Sequence, residues 1–247
     1  MIFFVSAFHI PAEFYEVAAN FPGIKKIAWA GDAFSMAAAD RANVLDYLFC
    51  SDSGYLKVAR NFKCRSFYLP LCADETVFEN HHLLHTEAPF FAGDANDIRE
   101  NYLSAIHVPV NIWGSHWKKS KLRQHNVHNK SLSHRELSNF YNISMAPINM
   151  TFSKNIIDGL NFRTFEIGMC GGLIIVNECK DLKNCYLVGK ECVTYKTPSD
   201  LDALTSDIIK NPTKYAKIAQ AGYQRSLKEH TYQKRLEQLF SILDVIK

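Results

Sequence analysis

The stretch Asn161-Phe162-Arg163-Thr164-Phe165-Glu166-Ile167-Gly168-Met169-Cys170-Gly171-Gly172-Leu173-Ile174-Ile175-Val176 decides the fold class. It reads as a helix over residues 163–169, stopped by a glycine pair for which a left-handed cap costs little. The apolar run 173–176 that follows has the length and composition of a buried strand. Helix, glycine turn, buried strand is the repeating unit of an α/β protein with parallel sheets.

The same alternation extends outward. Upstream, strands are expected at 90–92, 108–113 and 143–148, with helices at 97–105 and 133–141. Downstream, three helices close the chain at 199–210, 213–228 and 232–246. In the first third, strands at 2–8, 26–30, 47–50 and 66–69 enclose helices at 12–20 and 53–61. The polar interval 74–87 contains no strand pattern, so the boundary is placed there. Residues 1–86 form a short N-terminal unit and residues 87–247 a larger one. Two Rossmann-like units with helices on both faces, facing each other across a cleft, is the economical reading, and such sheets bind ligands at the carboxyl ends of their strands. Leu236, Leu239, Phe240 and Leu243 give the last helix an apolar stripe.

Composition narrows the classes. The 247 residues are 47% hydrophobic and 21% charged, with net charge +3, far from the basic excess of a dedicated nucleic-acid binder. The apolar start at residues 1–8 lacks a basic flank, so no signal peptide is expected. No run approaches the roughly 18 apolar residues of a membrane helix. Seven cysteines, an odd number without a C-x-x-C pair, read as reduced thiols of a cytoplasmic protein. In that setting the sequons at Asn142 and Asn149 carry little.

Arg163 and Glu166 are three residues apart in the first turn of a helix. An ion pair on one helix face and a favourable helix dipole would explain both without function. The same geometry also suits a nucleotide: free N–H groups at a helix start and an arginine meet a diphosphate, while the carboxylate accepts from two ribose hydroxyls.

The run Arg163-x-x-Glu166-x-x-x-Cys170-Gly171, the strand after it and Gly189 to Tyr195 resemble the C-terminal domain of CgeB-like glycosyltransferases. Leu201 and Leu204, Ala219-x-x-Gly222-x-x-Arg225 and His230-Thr231-Tyr232-x-x-Arg235 continue the likeness. Upstream, Trp29-x-Gly31-Asp32, Leu69-Pro70, Phe91-Ala92-Gly93 with Arg99, and Trp113-Gly114-x-x-Trp117 extend it over nearly the whole chain. The resemblance implies a GT-B fold and transfer of a sugar from a nucleotide diphosphate to an acceptor hydroxyl. In that reading Glu166 holds the ribose, Arg163 lies near the phosphates, and Thr164, Gly93, Arg99 and Gly114 belong to the donor site. No cofactor or essential metal is expected, and no nucleic-acid partner. The acceptor is a glycan, glycolipid or protein, as in surface glycan synthesis; peripheral membrane contact and a homo-oligomer stay open. The last helix, 232–246, is expected to return to the N-terminal unit, which is short for the group.

Two residues past early strands are candidate bases. Asp32 follows a strand where Rossmann-like units present cleft residues, and His9 follows the first strand. A capping or turn role fits Asp32 equally well on position. Asp200-Leu201-Asp202 matches a metal-chelating D-x-D, but Ser199 as N-cap with acidic first-turn residues is the simpler account. His81, His82, His85, His125 and His128 have tolerable zinc spacing without a recognisable ligand array. Trp113 and Trp117 with Lys118, Lys119, Lys121 and Arg123 read as a solvated basic face, with acidic lipid as the competing partner. No G-x-G-x-x-G or Walker sequence is present. The rival functions are an epimerase or hydrolase on the same fold and a degenerate nucleotide-binding module.

Overall fold

The computed structural model describes residues 1–85, 88–151 and 153–245. Thr86 and Glu87, where the boundary is expected, and Ile246, the last residue of the expected final helix, lie outside them. The first sheet is built from β1 (Ile2–Val5), β2 (Lys26–Ala30), β3 (Tyr47–Cys50) and β4 (Arg65–Tyr68), all parallel and in the order 1-2-3-4. Short helices α1 (Ala12–Ala19), α2 (Ala39–Ala42) and α3 (Leu56–Ala59) connect them. Right-handed crossovers in a one-way strand order deposit every helix on the same face. Accordingly Tyr15, Ala18, Ala42 and Ala59 pack with Phe4, Ala28, Leu48 and Cys50 in one core. The connecting helices thus cover one face of this sheet, and the helix that covers the other face comes from the end of the chain.

The second sheet runs β5 (Phe90–Ala92), α4 (Asp97–Ser104), β6 (Asn111–Trp113), β7 (Asn126–His128), α5 (His134–Ile143), β8 (Pro147–Asn149), α6 (Phe162–Met169), β9 (Ile175–Asn177), α7 (Leu182–Cys185) and β10 (Val193–Tyr195). Its order is β10-β9-β8-β5-β6-β7, every pair parallel. Winding reverses between β5 and β8, so crossovers fill both faces. Leu103 of α4 packs on one face with Phe91, Ile112 and Ile175, and Tyr141, Phe165 and Ile167 of α5 and α6 pack on the other with Phe90.

Three long helices, α8 (Pro198–Lys210), α9 (Pro212–Glu229) and α10 (Tyr232–Val245), end the fold. Leu239 and Leu243 of α10 join a core with Ile27, Trp29, Phe49 and Leu69 on the uncovered face of the first sheet. Each buried leucine contributes about 1.5–3 kcal/mol to that packing. Arg235, 2% exposed, donates to the Leu71 carbonyl from Nε at 3.2 Å and Nη2 at 2.9 Å.

Several sequence boundaries move for local reasons. The first strand stops at Val5 because Ser6 takes φ 61° and a single 3-10 turn follows. Ile143 completes α5 rather than opening a strand. Thr197, not Ser199, caps α8: Pro198 takes the first helical position and Asp200 closes a capping box with Thr197. Asp202 accepts from the His107 backbone N–H at 2.9 Å, which spends its carboxylate on the loop after α4.

The two units are clasped reciprocally beyond β3. Asp52, buried, accepts from Gly54 N–H at 2.7 Å and, across the junction, from Ile157 N–H at 2.7 Å and Asp158 N–H at 3.1 Å. In return Asp181 accepts from Ser53 N–H at 2.8 Å and Ser53 Oγ at 2.6 Å. A Cβ on Gly159 would stand 2.7 Å from that of Asp52, so the approach needs glycine there.

Candidate functional site

In a doubly wound sheet a crevice opens where winding reverses, outside the carboxyl ends of the strands. Here that point lies between β5 and β8, followed by the Gly93 loop and, after the 150s loop, by α6. A cleft of about 270 Å³ occupies it, lined by Gly93, Asp94, Arg99, Trp113, Gly114 and Arg163 among others. Two larger hollows, about 550 Å³ beside Asn80 to His85 and about 810 Å³ beside His230 and Arg235, lie away from this crevice.

The loops after β5 and β6 are zipped together. Gly93 N–H donates to Trp113 O at 2.8 Å, Ala95 N–H to Ser115 O at 2.9 Å, and Ser115 N–H to Asp94 Oδ1 at 2.8 Å. Gly114 has φ +152°, and a Cβ there would lie 2.1 Å from the Gly93 carbonyl oxygen. Trp117 is no surface aromatic: it is 2% exposed and its Nε1–H donates to Gly93 O at 2.8 Å. The basic aromatic patch expected from sequence therefore reduces to exposed lysines around a buried indole that holds the site loop.

Two guanidiniums meet in the cleft. Arg99 is anchored by Nη1–H to Asp94 O at 2.7 Å and lies over the Phe91 ring. Burial lowers the Arg99 pKa, and the neighbouring Arg163 lowers it further. Like charges held together in a cleft favour an anion between them.

Asn161 caps α6 by accepting from Thr164 N–H at 3.3 Å. Thr164 itself faces inward, fully buried, its hydroxyl bonded to Asn149 and Asn161, so its side chain serves the helix start and not the cleft. Glu166, one turn in, is pushed up to about 7 by burial, with Arg163 pulling the other way. Among the described residues no hydrogen bond to the Glu166 side chain offsets that burial. Tyr141 Oη and Trp113 Nε1 are also buried without a hydrogen-bond partner. Gly171, at φ +77°, and Gly172 end the helix as the sequence indicates.

His9 Nε2 stands 3.4 Å from Asp32 Oδ2, both side chains more than half exposed. The two candidate bases of the sequence are thus one pair. Sequence reading did not single out Asn155, whose Nδ2–H reaches Asp32 Oδ1 at 3.5 Å from the second unit. Among the described residues no group of three His, Cys, Asp or Glu side chains is placed to hold a metal ion, and no helix is long and apolar enough to cross a membrane.

Residues 98–241, more than half of the chain, match the glycosyl transferase-like family. The chain belongs to that family. None of the curated proteins matches this glycosyl transferase-like chain in sequence. Solved structures do match in fold. A glycosyltransferase from Rickettsia africae superposes with TM-score 0.69 at 10% identity, covering 98% of this chain and 76% of that one. HepE from Anabaena, in complex with UDP and glucose, gives 0.68 at 11%, covering 95% and 76%. Sucrose-phosphate synthase from Thermosynechococcus elongatus gives 0.63 at 13%, covering 91% and 69%. This glycosyl transferase-like chain has the GT-B fold of such enzymes.

Proposed function

We propose that this chain transfers a sugar from a nucleoside diphosphate to an acceptor hydroxyl, and that within its family it stands with the CgeB-like group. The single observation that carries the reading is the pair of guanidiniums, Arg99 and Arg163, in the cleft at the winding reversal of the second sheet, with the half-buried Glu166 carboxyl coupled to Arg163 on α6. A nucleoside diphosphate answers each group: phosphates the guanidiniums, ribose hydroxyls the carboxylate. UDP in the HepE complex makes uridine the first base to try.

The chemistry follows from charge. Asp32 accepts from His9 Nε2–H, which leaves Nδ1 to take the acceptor proton. The acceptor oxygen bonds to the anomeric carbon while the carbon–oxygen bond to the diphosphate breaks, its electron pair leaving on the phosphate. Arg99 and Arg163 meet that charge, so no metal is required at the step. The acceptor class we propose is a glycan or glycolipid hydroxyl, reached across the cleft between the sheets.

Thermal-shift titration with UDP, GDP, CDP, ADP and TDP, with and without EDTA, tests this. A nucleotide of 10 µM affinity at 1 mM adds about 2.7 kcal/mol of apparent stability. The expected result is a shift with one base, insensitive to EDTA and lost in Glu166→Ala. No shift with any base would overturn the reading, and tight binding without transfer to any glycan acceptor would turn it to a nucleotide-binding module.

A further inference from the structure

The junction between the two units reaches the proposed base. Asp32 has two carboxylate oxygens, and they face different units: Oδ2 faces His9 at 3.4 Å, Oδ1 faces Asn155 Nδ2 at 3.5 Å. Asn155 is fixed by its surroundings. Tyr55, in the 3-10 turn after β3, donates its hydroxyl to the Asn155 carbonyl at 3.2 Å. Two residues on, the chain enters the Asp52 end of the clasp, where Ile157 N–H and Asp158 N–H are captured. Gly54 allows this, because a Cβ there would stand 2.6 Å from Ile157. Asn155 Oδ1 is buried and has no partner, so the amide is held by its setting and not by a satisfied pair of its own.

We infer that Asn155 is a positioning residue through which the clasp between the two units orients Asp32 toward His9. The inference rests on the proposed transferase reading for its catalytic meaning, but its geometry stands apart from it. An imidazole needs a partner on one nitrogen to present the other as a base. Here that partner is itself half-held by the opposite unit. When the clasp opens, Asp32 loses the Asn155 bond and is free to rotate on its exposed turn. The base is therefore complete only while the units are docked, which ties proton removal to the arrangement that brings donor and acceptor together.

Asp32 is the direct neighbour of the His9 ring, and Arg41 brackets it by donating to Phe8 O and Ile10 O. Asp52 and Asp32 both act on Tyr55, and Lys154 precedes Asn155 in the loop. A negative charge introduced at 155 would therefore be felt by the imidazole through Asp32.

The experiment follows the His9 ring by NMR over pH in the full chain, in parallel with transfer kinetics. Asn155→Asp should move the titration of that ring to higher pH by about one unit, and adding Asp181→Asn, which loosens the clasp, should shrink that shift. Asn155→Ala should lower kcat about tenfold or more with nucleotide Kd within about twofold of the parent. An unmoved titration in Asn155→Asp, or a shift that ignores Asp181→Asn, overturns the positioning role. A chain that binds nucleotide but transfers no sugar, with the titration shift intact, would instead overturn the transferase reading and leave the junction geometry standing.

Discussion

The two sheets are both parallel and both alternate with helices, yet they wind differently. The second sheet reverses its winding between β5 and β8, and the loops there converge on a cleft that holds two arginines, with the half-buried Glu166 carboxyl further along α6 from Arg163. The first sheet winds one way in the order 1-2-3-4. No pair of its loops is forced apart, so His9 and Asp32 sit on an open rim, more than half exposed. Strand order thus separates a crevice within the second sheet from an open rim on the first.

The sharpest way to break this contrast uses two glycines in equivalent places, each just beyond the second strand of its sheet. Gly114→Ala puts a Cβ 2.1 Å from Gly93 O at φ +152°, whereas Gly31→Ala meets only Leu71, at 3.5 Å. Gly114→Ala should cost about 3 kcal/mol of stability and most nucleotide affinity, Gly31→Ala less than about 1 kcal/mol. Urea unfolding and calorimetric nucleotide titration of both variants would measure this, and equal effects would erase the distinction between crevice and rim.

Glu166 offers the next test, through pH. Its carboxyl is raised from 4.5 to about 7, so the folded chain holds a proton that the unfolded chain releases. Its contribution to stability is full below the unfolded value and is lost as pH rises toward the folded one. From pH 5 to pH 8 the loss should be about 2 kcal/mol, discounted because the residue is only partly buried by area. Glu166→Gln should flatten that slope. If ribose needs the ionised carboxylate, nucleotide affinity should fall about tenfold between pH 8 and pH 6, since only the ionised fraction binds. An affinity unchanged over that range would take Glu166 out of the ribose role.

The smallest expected effect compares two tryptophans. Trp117 Nε1–H holds Gly93 O in the second unit, and Trp29 Nε1–H holds Leu69 O in the first at 3.0 Å. Either change to Phe removes one buried bond and should cost about 1–2 kcal/mol. Only Trp117→Phe should also weaken nucleotide binding, by a few-fold, because its acceptor belongs to the cleft loop.

Much of this was legible in order along the chain. Periodicity located the long helices, and Gly171-Gly172 marked the end of α6, because local backbone demands leave local signs. The α/β class and most strands followed from apolar run lengths. Asn126–His128 and Val193–Tyr195 escaped notice as strands: three residues each, the first polar and at a sheet edge. Strand order was not legible, since nothing local records which strands become neighbours, and with it went the placing of the first sheet's connecting helices on one face. At the site, Arg163 and Glu166 stood out by spacing, but the burial that perturbs Glu166 comes from distant packing. Trp117 sits among lysines in sequence, and only its bond to Gly93 O places its indole inside. The Asp52 and Asp181 clasp joins residues more than a hundred positions apart, which no short motif can announce.

One feature of the first sheet bears on synthesis in the cell. Its Ile27, Trp29 and Phe49 face is covered by Leu239 and Leu243 of α10. Those strands leave the ribosome some two hundred residues before the helix that shields them, a wait of about 10–40 s at ordinary elongation rates. Throughout that interval the nascent chain carries a naked apolar face, the kind of surface that chaperones grip and that sticks to its neighbours on a polysome.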